Sequence, residues 1–362
     1  MSGVHPLAGW LRLTLTPGLG PASQRQLLAA FGLPERIYAA PPAALAAVVG
    51  EPAVRQLLEH DASAAVSTAL EWLTESGNAL LTLGDESYPA ALLEIPDPPV
   101  LLYVKGDASL LSRPSMAVVG ARNATPQGEA NAEAFSTALS SAGLTIVSGL
   151  ALGIDAAAHR GGLAGAGRTV AVIGTGADRI YPARNAALAR RIAEAGAIVS
   201  EFPLGSGPLA HHFPRRNRLI AGLSCGVLVV EAAVKSGSLI TARLAGDCGR
   251  EVFAIPGSIH SPLSRGCHRL IRDGAKLVES ANDILEELRL PEPEVAPQQA
   301  SGPAEGGGDE GGVLAALGHD PVDMDTLVHR TSLTPEALYA ILLTLELDGR
   351  VSRLPGGRLQ RL

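Results

Sequence analysis

Between residues 76 and 289 the apolar positions come in short unbroken runs. "MAVVG" (116–120), "LTIVSG" (144–149), "TVAVIG" (169–174), "AIVS" (197–200), "GVLVVE" (226–231) and "EVFAIP" (251–256) are rich in β-branched residues. Runs this short, bounded by Gly, Pro and Ser, predict buried strands. Ala-rich stretches such as "GEANAEAFSTALSSAG" and "NAALARRIAEAG" separate several of them and have the length of helices. Apolar strands alternating with helices predict an α/β fold whose mainly parallel sheet is covered on both faces.

The flanks have other patterns. Residues 1–75 predict a helical domain, in which "LRLTLTPGLGPASQRQLLAAFG" reads as a helix, a Pro/Gly hairpin and a second helix opened near Ser23. That is a helix-hairpin-helix pattern whose hairpin amides could face phosphates. The segment has few basic residues, so a small packing domain is the expectation. Residues 290–312, "LPEPEVAPQQASGPAEGGGDEGG", predict a flexible acidic linker. In residues 313–362, "DMDTLVHRTSLTPEALYAILLTLELDGRVSRLPGGRLQRL" reads as helix, turn, helix capped at Thr334, then a hairpin turning at Pro355-Gly356-Gly357. That predicts a winged-helix domain.

Charge changes the picture only locally. The formal net charge is −7, but residues 286–312 hold seven acids against Arg289 alone. The remainder is near neutral, and residues 203–243 carry five bases against one acid, Glu231. A basic surface is compatible with that distribution. Cys225, Cys248 and Cys267 are the three cysteines. They form no disulfide framework and predict a reducing, cytoplasmic setting, with no metal site. No leader opens the chain, and no apolar run reaches the roughly 20 residues of a membrane span.

In a parallel sheet, ligands gather outside the carboxyl ends of the strands. The loops leaving those ends are "GARNATPQG", "SGLALGID", "GTGADRIYPARN", "SEFPLGSG", "EAAVKSGSLIT" and "PGS". Their glycines let backbone amides approach an anion, and helix N-termini add partial positive charge. Arg122, Arg179, Arg184, Arg215, Arg216, Arg218 and Lys235 fall on the same edge, with Tyr181, Phe202 and Phe213. Cations that neutralise phosphates beside rings that stack bases suit single-stranded nucleic acid. The bland alternative pairs some of these arginines with Glu201 and Glu231 and places the aromatics in the core.

Several other chemistries lack their residues. No G-x-x-x-x-G-K-[ST] is present, and "GTGADR" has Arg179 where the last glycine of G-x-G-x-x-G belongs, leaving Glu201 as a weak ribose-binding candidate. "TIVSGLALG" is no nucleophile elbow. Asp155 and His159 share a helical face, where a helix-start Asp bonding backbone amides is the expected role.

Seven segments, in order, resemble the core of the DNA processing protein A (DprA/Smf) family. They are "YPAALLEIPDPPVLLYVKG", "MAVVGARNATPQG", "VSGLALGIDAAAH", "VIGTGADRIYPARN", "FPRRNRLIAGLS", "VVEAAVKSGSLITARLAGDCGREVFAIPGSI" and "RGCHRLIRDGAKLV", spanning roughly residues 80–280. The resemblance implies an extended Rossmann-like core, a homodimer and no enzymatic activity or cofactor. It implies a recombination mediator of natural transformation that binds incoming single-stranded DNA, protects it, helps overcome single-strand-binding protein and loads RecA. The DNA contacts it implies are Gly120, Arg122 and Asn123 of the Gly-x-Arg loop, Phe213, Arg215, Arg216, Asn217 and Arg218 around F-P-x-R-N, and Lys235, Ser236, Gly237 and Ser238 of the K-S-G-S loop. Asn217 is expected to hold its loop through a side-chain to backbone bond. An alternative is a nucleotide enzyme, because "VVEAAVKSGSLITA" distantly resembles nucleoside monophosphate phosphoribohydrolases, with Glu231 assisting glycosidic cleavage. A protein-binding adaptor is a further rival. The second winged-helix segment, "TPEALYAILLTLELDG", has no Lys or Arg, which predicts a protein contact over duplex reading.

Overall fold

The structure is a computed structural model that describes residues 5–289, 309–318, 321–354 and 356–361. Six helices come first: α1 (Ala8–Leu15), α2 (Pro21–Phe31), α3 (Pro34–Ala39), α4 (Pro42–Val49), α5 (Glu51–Glu59) and α6 (Ser63–Leu73). Gly18, at φ 73°, turns the chain between the first two. Helix α2 opens at Pro21, two residues before Ser23, because proline has no amide to leave unpaired at a helix start. Trp10, Leu13, Leu27, Ile37, Leu57 and Trp72 of these helices share one buried core with Leu80, Leu101 and Tyr103. Trp72 meets Tyr103 edge-on, with ring centroids 5.8 Å apart.

Among the described residues the centre is one nine-stranded sheet: β1 (Asn78–Thr82), β2 (Leu101–Gly106), β3 (Ser115–Val119), β4 (Thr145–Ser148), β5 (Thr169–Val172), β6 (Ala197–Ser200), β7 (Gly226–Val229), β8 (Glu251–Ala254) and β9 (Lys276–Leu277). Its order is β1-β2-β6-β5-β4-β3-β7-β8-β9. Strands β6 to β9 pair in parallel, while β2 pairs antiparallel with β6 and β1 with β2. Every residue of β3 to β7 is buried, which is why those strands are apolar without alternation.

Helices α7 (Ala90–Leu93), α8 (Pro126–Ser141), α9 (Ile154–Ala164), α10 (Ala186–Ala195), α11 (His212–Leu223), α12 (Gly237–Asp247), α13 (Arg265–Arg272) and α14 (Ala281–Glu287) cover the sheet. Ala132, Leu139, Ala157 and Ile284 of α8, α9 and α14 pack on one face against Met116 and Val118. Leu92, Leu219, Leu223 and Ala245 of α7, α11 and α12 pack on the other against Val119 and Val227. The chain moves outward from β3 to β6, and α11 then returns it to β7 on the far side of β3. The strand order therefore reverses between β3 and β7, and a cleft opens outside their carboxyl ends.

The expected linker falls on undescribed residues as far as 308. Its last four residues, 309–312, instead begin helix α15 (Asp309–Leu317), drawn in by burial of Val313, Leu314 and Leu317. Helices α16 (Met324–Thr331) and α17 (Pro335–Leu347) follow, with the Thr334 hydroxyl capping α17 at the Ala337 amide. Strands β10 (Val351–Leu354) and β11 (Arg358–Arg361) form the wing, and Val322 bridges to Leu359 as a third partner. Pro355 lies outside the described residues.

Two buried polar clusters hold the core. His159 has no exposure, and its Nε2 accepts from the Leu150 amide at 3.2 Å. Nδ1 therefore carries the proton and donates to Thr169 Oγ1 at 2.7 Å, which donates on to the Ile146 carbonyl. The second cluster joins the helical domain to the core. Asp97 takes Arg25 at 2.5 Å and Arg218 Nε at 3.3 Å, and Arg218 Nη2 bonds Glu201 Oε2. Arg215 Nη2 reaches the same Glu201 oxygen at 3.0 Å.

Each cluster sets an expectation. Removing Arg218 leaves the Glu201 carboxylate buried with one partner, so Arg218→Ala should destabilise the core by about 3 kcal/mol in urea unfolding. Burial, aided by the Arg216 charge, pushes His159 down to about 3 from 6.5. Between those values the unfolded chain binds a proton that the folded chain does not, so stability falls as pH drops below 6.5. From pH 7 to pH 5 the wild type should lose about 2 kcal/mol more than His159→Gln, whose amide can keep both hydrogen bonds.

Candidate nucleic-acid interface

The cleft at the β3–β7 reversal has a volume of about 560 Å³. Gly120 and Arg122 reach it from the end of β3, Phe213, Arg216 and Asn217 from α11, and Ser236, Gly237 and Ser238 from the start of α12. Eight of the twelve candidate residues thus meet on one wall-and-floor arrangement. Asn123, Arg215, Arg218 and Lys235 do not line it.

The reason lies in the geometry of α11. Successive residues on a helix project about 100° apart, so residues i and i+3 share a face and residue i+1 does not. Arg215 and Arg218 turn together onto Glu201, whose side chain is 2% exposed. Arg218, itself 12% exposed, is ion-paired with Glu201 through Nη2 and with Asp97 through Nε, while its Nη1 is buried without a hydrogen-bond partner. Its assignment to the DNA surface is corrected to a structural ion pair. Arg215 is half-buried and rests with Cζ 5.5 Å from the centre of the buried Phe202 ring. It faces a separate crevice formed with Gly18, Gly20 and Gln24 of the helical domain. Glu201 is thereby also removed as a ribose-binding acid. Lys235 is exposed and lines a neighbouring groove with Arg243 and Arg269. Lys235 therefore stands beside this cleft and not in its wall, with the adjoining Ser236 lining both hollows.

Arg216 takes the opposite direction. It is 5% exposed, lies in the cleft floor, and has no ion pair among the described residues. Its Nε has no hydrogen-bond partner. The guanidinium occupies the space beside Gly149 that any Cβ there would need. Burial pushes Arg216 down to about 10, Asp155 pulls it back through space, and Arg122 pushes it down further. At neutral pH it is still a cation. The cleft therefore holds two guanidiniums of like charge, Arg216 buried in its floor and Arg122 exposed at its edge.

The remaining walls suit a phosphodiester. Helix α12 begins in the cleft, with Ser236 Oγ accepting from the Ser238 amide at 3.3 Å and the two hydroxyls 2.6 Å apart. A Cβ at Gly237 would meet open space, so the backbone there is approachable. Asn217 Nδ2 lies 3.5 Å from the Gly237 carbonyl, a long contact that joins α11 to the K-S-G-S loop instead of closing its own loop. Tyr181 and Phe213 form a ring wall with centroids 5.8 Å apart, and Arg122 Cζ lies 5.7 Å from the Phe213 centroid.

Asp155 fills the helix-start role expected of it: its Oδ2 accepts from the Gly149 and Ala151 amides at 3.2 and 3.3 Å. It is in addition the counter-charge acting on Arg216, and Gly149 is the residue that admits that guanidinium. The "SGLALGID" run was the available signal for both. Burial raises the Asp155 carboxyl, and Arg216 pulls it back. Glu231 is occupied elsewhere. Its two oxygens take the Thr125 amide at 2.9 Å and the Thr125 hydroxyl at 2.6 Å, at the start of α8. A Cβ on Gly128 would collide with that carboxylate. Among the described residues no set of His, Cys, Asp and Glu converges as metal ligands, and no helix is long and apolar enough to cross a membrane.

Known proteins resemble this chain in sequence and fold. The family model described as DNA recombination-mediator protein A matches residues 79–289, and the DprA winged helix domain matches residues 293–357. Protein Smf of Escherichia coli (strain K12) is 42% identical over 311 residues, covering 82% of this chain and 81% of that one. The DNA processing protein DprA of Streptococcus pneumoniae is 52% identical over 206 residues, 57% of this chain and 73% of that protein. The crystal structure of DprA from Streptococcus pneumoniae superposes with a TM-score of 0.70 at 41% identity, covering 77% of this chain and 97% of that one. A DprA structure from Helicobacter pylori, described for its single-stranded DNA binding mode, gives a TM-score of 0.53 at 32% identity over 58% of this chain and 95% of that one. With a core model over most of the sheet, a winged-helix model behind it and a relative matched over four-fifths of both lengths, the chain belongs to the DprA/Smf family of DNA processing proteins.

Proposed function

We propose that this chain binds single-stranded DNA in the cleft between β3 and β7 without reacting with it. The observation that carries the reading is the Arg122–Arg216 pair: two cations acting on each other across a cleft floor, one of them buried, with no carboxylate bonded to Arg216. A bridging phosphate relieves that repulsion and supplies the acceptor that Arg216 lacks. The Gly237 amide at the start of α12 adds a helix-end donor, beside the Ser236 and Ser238 hydroxyls. The Phe213–Tyr181 wall gives bases a surface to stack on without reading their identity. The single-stranded DNA described for the Helicobacter pylori relative supports the same ligand class.

The fuller role rests on family membership. In that role the protein is a cytoplasmic, homodimeric recombination mediator of natural transformation. It protects incoming single strands, works against single-strand-binding protein and loads RecA. The proposed division is a helical domain over 1–75, a DNA-binding core over 76–289, a linker as far as 308 and a winged-helix domain after it. The nucleotide-hydrolase alternative loses its residue, because Glu231 is spent fixing Thr125 and the start of α8.

If about three phosphates are neutralised per subunit, the logarithm of affinity should fall with the logarithm of salt at a slope of roughly −2. Arg122→Ala should weaken binding of a fluorescent oligothymidine and flatten the slope by about 0.7, and Arg122→Ala with Arg216→Met by about 1.4. Arg215→Ala should leave the slope alone. An unchanged slope in the folded double variant refutes the site, and release of free base from nucleoside monophosphates refutes the non-enzymatic reading.

A further inference from the structure

We propose that the outward face of α17 docks a basic amphipathic helix of another protein. In a winged-helix fold this second helix is the one that enters the DNA major groove. Here Leu338, Leu342 and Leu345 turn inward and are buried against Val313, Leu327 and Leu359. Tyr339, Leu343 and Leu347, spaced four apart, turn outward and are 50%, 54% and 80% exposed. Residues four apart on a helix form one continuous stripe. The helix is thus apolar on two faces, one of them uncovered.

Charge decides between the possible occupants. Helix α17 has no Lys or Arg, and it carries Glu336 near its start, Glu346 near its end and Asp348 just beyond. Arg353 of β10 pairs with Glu346 at 3.0 Å and lies over the Tyr339 ring with Cζ 5.9 Å from its centre. Among the described residues Glu336 and Asp348 have no ion-pair partner. An acidic apolar stripe repels a phosphate backbone. It also disfavours a second α17. Antiparallel pairing would set Glu336 against Glu346 and Asp348, and parallel pairing would set each acid against its own copy. A helix with apolar residues at i, i+4 and i+7 and Lys or Arg at its ends covers the stripe and neutralises both free acids.

The test uses the full chain and two synthetic helical peptides of about four turns. Both carry leucines at the matching spacing; one has lysines at its ends, and its twin has glutamates there. Anisotropy should show the lysine peptide binding and the glutamate twin at least about tenfold weaker. Leu343→Ser with Leu347→Ser, both at exposed positions, should abolish binding with the circular dichroism spectrum unchanged. Equal binding of both peptides, binding of neither, or binding that survives the double variant overturns the proposal. So does displacement of the lysine peptide by duplex DNA, which would mark a groove-reading helix. A lower assembly mass of the double variant in sedimentation would mark a second copy as the occupant and overturn it as well.

Discussion

One carboxylate sorts the cations of this protein. Glu201 directly follows β6, ahead of the loop that leads to α11, and its buried side chain binds Arg215 and Arg218 on one side of that helix. Two guanidiniums on one acid satisfy its charge. The residue between them, Arg216, is left facing the other way with no ion pair, countered only through space by Asp155. Three arginines within four positions therefore divide between a fixed structural anchor and a charged cleft. The division follows from the helical repeat and from a single acidic side chain.

The anchor also extends outward. Asp97 links Arg218 to Arg25 of α2, so the helix that lines the cleft is tied to the helical domain through the same cluster. Burial raises the Glu201 carboxyl while Arg218 and Arg215 pull it back, so its charged form depends on both arginines staying in place. On the opposite side of α11, Arg216 depends on Gly149 for space and on Asp155 for its only countering field. The cleft wall and the domain joint are two faces of one helix.

The sequence revealed most of the sheet because its strands are buried on both sides. Each of the six apolar runs coincides with one of β3 to β8, to within a residue at the start of β3. It did not reveal β1, β2 or β9. Strand β9 is a two-residue edge, and β1 and β2 join the sheet antiparallel, through a pairing that no local run encodes. The cationic rim was legible because the loops after parallel strands must share one end of the sheet. Its internal allocation was not. Whether Arg215, Arg216 or Arg218 faces the cleft depends on where Glu201 and Asp97 meet α11, and those residues are separated by more than a hundred positions in the chain. Lys235 shows the same limit, since its immediate neighbour Ser236 lines the cleft and it does not.

The two ends of the chain show how fold and function part company. The winged helix keeps the backbone of a duplex reader, with a Thr334 cap, a recognition-position helix and a two-stranded wing. Yet the bases stay off the helix: Arg350 follows it, while Arg353, Arg358 and Arg361 lie on the wing. A polyanion approaching the helix would meet acids and leucines. Recognition of DNA by such a module needs positive charge where the groove is read, and here that position carries apolar surface instead. In the core the reverse holds: the doubly wound sheet often serves small nucleotides, but the glycine-rich edge is fitted with paired guanidiniums and no free acid. In both modules the ligand class is set by which side chains keep uncompensated charge, and the backbone only decides where they stand.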